Sequence, residues 1–188
     1  MKKTKTEIKR IFREGMRDGM PIGLGYFAVA FSLGIAARAA GLSVTAATLA
    51  SLLCNASAGE YAGFTVIAAN ASYIEMAAIT LVANARYILM SCAMSQRFSP
   101  DTRTVHRLIM GFDTTDELFG IAMARPGALE PAYTYGAMLV SVPLWAAGTA
   151  LGTAAGSILP DAVVTALGVA LYGMFLAIII PPARKDKV

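Results

Sequence analysis

Polar side chains interrupt a long apolar stretch at residues 52–64, LLCNASAGEYAGF. The segment contains Asn55, Glu60 and Tyr61 together with two glycines, and its flanks are uncharged. A carboxylate at the centre of a bilayer helix costs about 2.5–3.5 kcal/mol on insertion scales, so it normally faces a polar cavity or a partner. Neighbouring glycines predict a helix that breaks within the membrane, as at many transporter binding sites. We therefore expect these three residues to bind substrate or couple protons.

Glu60 is the strongest candidate within this segment. A protonated Glu60 could sit neutrally in the membrane and release its proton on exposure, which is how a carboxyl group couples proton movement to transport. The alternative is a structural acid that is hydrogen-bonded at the helix break.

A second polar interruption lies in residues 73–94, where Asn84 and Arg86 fall near the middle of an apolar segment. An intramembrane arginine can hold a carboxylate with two hydrogen bonds. That carboxylate could belong to a substrate or, as the structural alternative, to an acid of the protein.

Three acids occur in the short segment 108–124, namely Asp113, Asp116 and Glu117. Asp113 and Asp116 are three residues apart, so on a helix they share one face. We expect Asp113 at a solvated helix start near the cytoplasm. We expect Asp116 and Glu117 to lie deeper, where they could receive a substrate ammonium group, a proton or Arg86.

Composition places the chain among helical membrane proteins. Hydrophobic residues make up 56% of the sequence, against about 45–50% in globular domains. The net charge of +4 does not indicate nucleic-acid binding, because the basic residues cluster at the ends of apolar segments. The lone histidine, His106, lies in a basic loop, so we expect neither a metal site nor a cofactor. We expect residues 1–188 to form one transmembrane transporter domain.

The pattern of apolar segments predicts an all-α, polytopic membrane protein with about four full crossings and two broken or re-entrant segments. Residues 1–18 are basic and amphipathic, which favours an interfacial helix over a simple basic tail. Pro21 suits the first turn of the next helix. The expected crossings are 20–37, 73–94, 133–158 and 161–180; the broken segments are 44–70 and 108–124; residues 95–107 form a basic cytoplasmic loop.

Glycines repeat every four residues in two places, and such faces allow close approach of another helix. The first face consists of Gly15, Gly19 and Gly23, and the second of Gly148, Gly152 and Gly156.

The positive-inside rule distinguishes two topologies, both with a cytoplasmic amino terminus. If all six apolar segments cross, the arginines of loop 95–107 lie outside. If segments 44–70 and 108–124 both enter and return, only Arg38 lies outside, and Arg86 lies in the membrane. The rule favours the second arrangement, in which two hairpins entering from opposite faces meet near the midplane. Making only one segment re-entrant would put the basic carboxyl-terminal tail outside.

Together these motifs resemble the AzlC family, the large subunit of branched-chain amino acid exporters. The resemblance rests on PIGLGYFAVAFSLGIAA at 21–37, SAGEYAG at 57–63, LVANARYILMS at 81–91 and TTDELFGIA at 114–122. These matches follow the order and spacing of the family and span most of the chain. Glu60 departs from the pattern, because the family has glutamine there. Family members usually continue through further hydrophobic sequence, so we expect either a truncated chain or an element supplied by another chain.

The resemblance implies a multi-pass permease subunit of the bacterial inner membrane that exports leucine, isoleucine, valine and sometimes methionine. It also implies a small AzlD-type companion membrane protein, and it points to Glu60, Asn84, Arg86, Asp116 and Glu117 as functional residues. We expect a proton-driven transporter rather than an enzyme. Two alternatives are a structural or assembly subunit, which the glycine faces favour, and an intramembrane enzyme that acts on lipid phosphates. The second would need another acidic cluster to complete a magnesium site.

Overall fold

The computed structural model describes residues 4–156, 158 and 162. Within these residues the chain is helical and contains no β-strand. The predicted crossing at 161–180 falls outside the described residues, apart from position 162. The helices described are α1 (Lys5–Ala39), α2 (Val44–Cys54), α3 (Ser57–Ala68), α4 (Tyr73–Ala83), α5 (Arg86–Ser95), α6 (Thr104–Phe112), α7 (Asp116–Ala124) and α8 (Pro131–Ala155).

Helices α1 and α8 pack along most of their length and run in the same direction. Gly136 contacts the backbone of Phe12, and Gly152 contacts the backbone of Phe31. Between these points, a Cβ atom on Gly19 would lie 2.8 Å from the Cα atom of Ala137. The predicted glycine faces therefore pack within this chain. Glycine permits backbone approach that any side chain would prevent.

Helix α1 differs from the sequence prediction, because residues 5–39 form one continuous helix rather than an interfacial helix followed by a crossing. Pro21 consequently lies inside α1 and not in a first turn. A helix of 35 residues is about 52 Å long, and the hydrocarbon core is about 30 Å thick. The helix is therefore longer than a crossing needs, and the interfacial location of its basic amino-terminal part stays a prediction.

Helices α2 and α3 form the first hairpin, and its break confirms the predicted interruption of segment 44–70. Asn55 ends α2 in the left-handed conformation, with φ 43°. The chain then turns back, so that the Ser51 hydroxyl of α2 donates a 2.8 Å hydrogen bond to Oε2 of Glu60 on α3. Because α2 follows the carboxyl end of α1, this hairpin enters the bundle from that end.

Helices α6 and α7 form the second hairpin, with a break at residues 113–115. Nδ1 of His106, near the start of α6, lies 2.6 Å from the hydroxyl of Tyr135 at the start of α8. The guanidinium of Arg97, which precedes α6, donates hydrogen bonds to three carbonyl groups around the end of α7: those of Met123, Arg125 and Gly127. Both ends of this hairpin therefore lie at one end of the bundle.

The second hairpin also lies beside the amino-terminal half of α1, because Arg125 forms a 3.0 Å ion pair with Glu14. The two hairpins thus enter from opposite ends, as the re-entrant arrangement requires. If all six segments crossed, loop 95–107 and residues 125–130 would lie on opposite faces of the membrane. The hydrogen bonds from Arg97 to the carbonyl groups of Arg125 and Gly127 instead hold these two regions together.

Helices α4 and α5 correspond to the crossing predicted at 73–94, but that crossing is not straight. The chain bends by 50° at the break between them, at Asn84 and Ala85. Within the described residues, α1 and α8 are long and apolar enough to span a membrane, and the bent α4–α5 pair gives a third candidate. This is fewer than the four predicted crossings, of which the one at 161–180 lies outside the residues searched apart from position 162. Helix α4 packs against α3 on one side but buries none of its side chains fully, so much of its apolar surface is exposed to lipid or another protein.

Replacing Gly19 by alanine should destabilise the fold by about 1–3 kcal/mol, because the added methyl group overpacks the contact with Ala137. Gly25 lies on the same helix, where a Cβ would meet nothing within 4 Å. Gly25→Ala should therefore be neutral or slightly stabilising. Thermal unfolding of the purified variants measures the difference, and equal effects would contradict the packing described.

Cysteine labelling should place residues 39 and 101 on opposite faces of the membrane, because the hairpins enter from opposite ends. Ala39→Cys and Asp101→Cys introduce exposed thiols into a background in which Cys54 and Cys92 are replaced. An impermeant reagent should label one variant in intact cells and the other in inverted vesicles. Labelling of both from the same face would support six crossings instead.

Candidate functional site

The breaks of the three helix pairs meet at the centre of the bundle. The Asn55 side-chain amide at the tip of the first hairpin donates a hydrogen bond to Oδ1 of Asp113 at the tip of the second. Arg86, the first residue of α5, forms a 3.0 Å ion pair with Asp116, the first residue of α7. The polar groups that three separate breaks expose are therefore collected at one place.

A small pocket lies at this junction, and we call it the central pocket. Its cavity volume of about 20 Å³ has room for roughly one water molecule. The lining includes both acidic and basic side chains, so the pocket offers charges of both signs. Its residues are Tyr26, Val29, Asn55, Ser57, Arg86, Tyr87, Thr115, Asp116, Glu117 and Trp145.

Tyr26 on α1 and Trp145 on α8 close one side of the central pocket. The Tyr26 hydroxyl hydrogen-bonds Thr115 and donates to Oε2 of Glu117 at 2.8 Å. The ring of Tyr26 meets the ring of Trp145 edge to face, with centroids 5.4 Å apart and planes at 77°. The long helix pair thereby fixes the position of the second hairpin relative to the pocket.

The amino termini of two half-helices point towards the central pocket. Ser57 begins α3, and Asp116 and Glu117 begin α7. The first turn of a helix carries unpaired N–H groups and a partial positive charge, which favours anions. At α7 this charge is complemented by the two carboxylates, and Thr115 caps the helix by accepting from the backbone N–H of Leu118. At α3 the carboxylate of Glu60 accepts from the backbone N–H of Ala56.

Glu60 lies behind the wall of the central pocket rather than in its lining. Its side chain is buried and accepts from the Ser51 hydroxyl, the Ala56 N–H and the Trp145 indole N–H, the last at 3.1 Å. Ser51 also bonds the hydroxyl of Thr149 on α8 at 2.6 Å. Glu60 therefore ties the first hairpin to α8 and holds the tryptophan that faces the pocket.

On its other side, Glu60 borders an apolar pocket between α2, α3 and α4, with a cavity volume of about 370 Å³.

The structure brings four of the seven predicted site residues into the lining of the central pocket: Asn55, Arg86, Asp116 and Glu117. The other three lie around it. Tyr61 is half-buried and packs against the main hydrophobic core. The Asn84 amide lies directly against Gly59, where a Cβ would collide with it. The ion pair between Arg86 and Asp116 matches the structural alternative stated for Arg86, and it leaves both groups partly exposed.

The prediction that Asp113 lies at a solvated helix start is wrong. Asp113 is not solvated but 1% exposed, because the end of α6 is covered by the tip of the first hairpin. Sequence reasoning also missed Tyr26 and Trp145. The signal available for Trp145 is that it is the only tryptophan of the chain and stands in the middle of an apolar helix.

Three polar atoms around the breaks are buried without a hydrogen-bond partner among the described residues: Oδ1 of Asn84, Nε of Arg86 and Oδ2 of Asp113. Buried polar groups are normally paired. Orphaned atoms of this kind are expected where a ligand, a proton or a water completes the site.

Comparison with known proteins gives consistent matches. The AzlC protein family model matches residues 21–159. A protein of Archaeoglobus fulgidus described as an uncharacterized membrane protein is 35% identical over 180 residues, covering 95% of this chain and 78% of its own. Inner membrane protein YgaZ of Escherichia coli is 28% identical over 184 residues, covering 94% and 75% of the two chains. No solved structure matches.

Replacing Glu60 by alanine should destabilise the protein by at least about 2 kcal/mol, because several buried donors lose their acceptor. Trp145 fluorescence should also change, since its indole N–H is one of these donors and the chain has no other tryptophan. Asp101→Ala, at an exposed loop position, is the matched control. Thermal unfolding and tryptophan emission of both variants provide the measurement, and an unchanged emission spectrum would contradict the contact.

Proposed function

Because this chain belongs to the AzlC family, we propose that it is an inner-membrane permease subunit that exports branched-chain and other apolar amino acids. The observation that carries this proposal is the Arg86–Asp116 ion pair, which lies where two broken helices meet and lines a pocket. Broken helices whose ends face a polar site are characteristic of secondary transporters.

The charges of the central pocket suit a zwitterion. Arg86 and the amino terminus of α3 can bind the carboxylate of an amino acid. Asp116 and Glu117 can bind its ammonium group through charge-assisted hydrogen bonds. An entering amino acid would exchange the internal ion pair for two ion pairs of its own, so neither Arg86 nor Asp116 would be left as an unpaired buried charge.

Substrate entry requires the central pocket to widen, because a volume near 20 Å³ holds about one water molecule and not an amino acid. Separation of the two hairpin tips would widen it. Since the hairpins enter from opposite ends of the bundle, withdrawing one or the other would open the pocket towards one face at a time. We propose that alternating access works in this way and that the proton gradient drives it.

We further propose a small AzlD-type companion membrane protein, leucine, isoleucine, valine and methionine as substrates, and a cytoplasmic amino terminus. The family resemblance supports the companion protein and the four substrates. The orientation follows from the basic residues of the amino-terminal segment, by the positive-inside rule. The exposed apolar surface of α4 would suit either lipid or the companion.

A purely structural or assembly role is less well supported than transport. The glycine faces that favoured it are already used between α1 and α8, as at Gly19 and Gly152. Such a role also gives no reason for charges of both signs around a central pocket. We propose that the chain acts as a transporter and not as an enzyme.

Leucine efflux should fall at least tenfold in Arg86→Ala and in Asp116→Asn. Each change removes a charge-assisted contact worth about 1.5–3 kcal/mol, and a tenfold effect corresponds to about 1.4 kcal/mol. The assay uses cells preloaded with a leucine dipeptide that express the chain with its companion. Asp101→Asn, at an exposed position, should retain wild-type efflux. If both pocket variants export leucine normally, the site assignment is wrong.

A further inference from the structure

Two carboxyl groups, those of Glu60 and Asp113, are buried at the centre of the described structure outside the Arg86–Asp116 pair. Neither has a cation within ion-pair distance among the described residues, and they differ in the hydrogen bonds that they accept. Glu60 accepts hydrogen bonds from a hydroxyl, a backbone N–H and an indole N–H. Several donors on one carboxylate favour its charged form. Both oxygens of Glu60 are therefore paired with donors that support its charged form.

Asp113 lacks this support. Oδ1 accepts from the Asn55 amide, while Oδ2 is buried without a partner. Among the described residues no cation lies within ion-pair distance of Asp113. Burying an unpaired carboxylate costs several kcal/mol, whereas an unpaired neutral hydroxyl costs about 1–3 kcal/mol. The closed arrangement therefore favours a proton on Oδ2.

The contact made by Asp113 also lies where movement must occur. Asn55 and Asp113 are the tips of hairpins that enter from opposite ends, so any separation of the hairpins breaks this hydrogen bond. Water reaching Asp113 after separation would solvate the carboxylate and favour loss of the proton. Protonation at this position is thus linked to whether the tips touch.

We propose that Asp113, rather than Glu60, is the carboxyl group that takes up and releases the coupling proton, and that it does so at the Asn55–Asp113 contact between the hairpin tips. This proposal rests on the proposed exporter function. The step is a simple acid dissociation: the O–H bond at Oδ2 breaks, and the proton passes to water on the side to which the pocket is open.

Other ionisable side chains surround this point, and each has a separate partner. Tyr26 on α1 is bonded to Thr115 and Glu117. Asp116 on α7 is paired with Arg86 on α5. Their engagement leaves Asp113 as the buried acid with an unpaired carboxylate oxygen among the described residues.

Infrared spectroscopy of the full chain in lipid bilayers tests the location of the proton directly. The carbonyl band of a protonated carboxyl group should be present at neutral pH and should decline as the pH rises. Asp113→Asn should abolish this titrating band, whereas Glu60→Gln should retain it. A band that survives in Asp113→Asn, or that is lost in Glu60→Gln, would overturn the proposal.

A second variant leaves Asp113 in place and tests the proposal even if Asp113→Asn fails to fold. Asn55→Ala removes the one donor that supports the Asp113 carboxylate among the described residues, so the protonated band should persist to higher pH than in the wild type. A band that titrates as in the wild type would overturn the role of the hairpin contact.

Transport assays separate failure of this proposal from failure of the exporter function. In proteoliposomes that contain the chain together with its companion, Asp113→Asn should retain exchange of labelled leucine for unlabelled leucine but lose the acceleration produced by a pH gradient. Continued acceleration in this variant would overturn the proposal alone. Absence of wild-type exchange would reject the exporter function and the transport part of the proposal, whereas the infrared result would still identify the acid that holds the proton.

Discussion

Broken helices inside a membrane must satisfy their exposed N–H and C=O groups without bulk water, and this requirement organises the centre of the protein. The structure meets it by placing three breaks together. Asn55 bonds Asp113 across the hairpin tips, and Arg86 pairs with Asp116 across the next pair of breaks. Side chains of one break thus pair with side chains of another, although Oδ1 of Asn84, Nε of Arg86 and Oδ2 of Asp113 have no partner among the described residues. The same collection of polar groups forms a pocket with charges of both signs.

The glycine contacts between α1 and α8 provide the rigid frame for this centre. Backbone contacts such as those at Gly136 and Gly152 hold the two long helices at a fixed separation. The two aromatic side chains that bound the pocket, Tyr26 and Trp145, project from these helices. The hairpins pack against the frame through side-chain hydrogen bonds, including that from Ser51 to Thr149. A fixed pair of long helices with two shorter hairpins packed beside it suits the proposed opening, because the hairpins can move while the pair stays intact.

The sequence was sufficient to predict a helical membrane protein, the breaks of segments 44–70 and 108–124, and four residues that line the pocket. These predictions succeed because a charge or a glycine in an apolar run is a strong local signal. The bend at Asn84 was not predicted, because neither glycine nor proline marks it. The burial of Asp113 could not be predicted either, since it depends on contact with a hairpin tip 58 residues away in the sequence. Long-range pairing of this kind leaves no local pattern.

The antiparallel arrangement within each hairpin has an electrical consequence. The dipoles of α2 and α3 oppose each other, as do those of α6 and α7, so each hairpin as a whole has a small net dipole. An apolar amino acid is a zwitterion with no net charge. Moving the helix dipoles of a hairpin, or a zwitterion, through the membrane potential therefore does little electrical work, whereas ionised side chains such as Asp116 and Glu117 move with their hairpin as charges. One elementary charge, by comparison, gains about 2.3 kcal/mol per 100 mV. In the proposed transport cycle, the membrane voltage would therefore act through ionised side chains of the hairpins and through the net charge that accompanies the substrate, rather than through the helix dipoles.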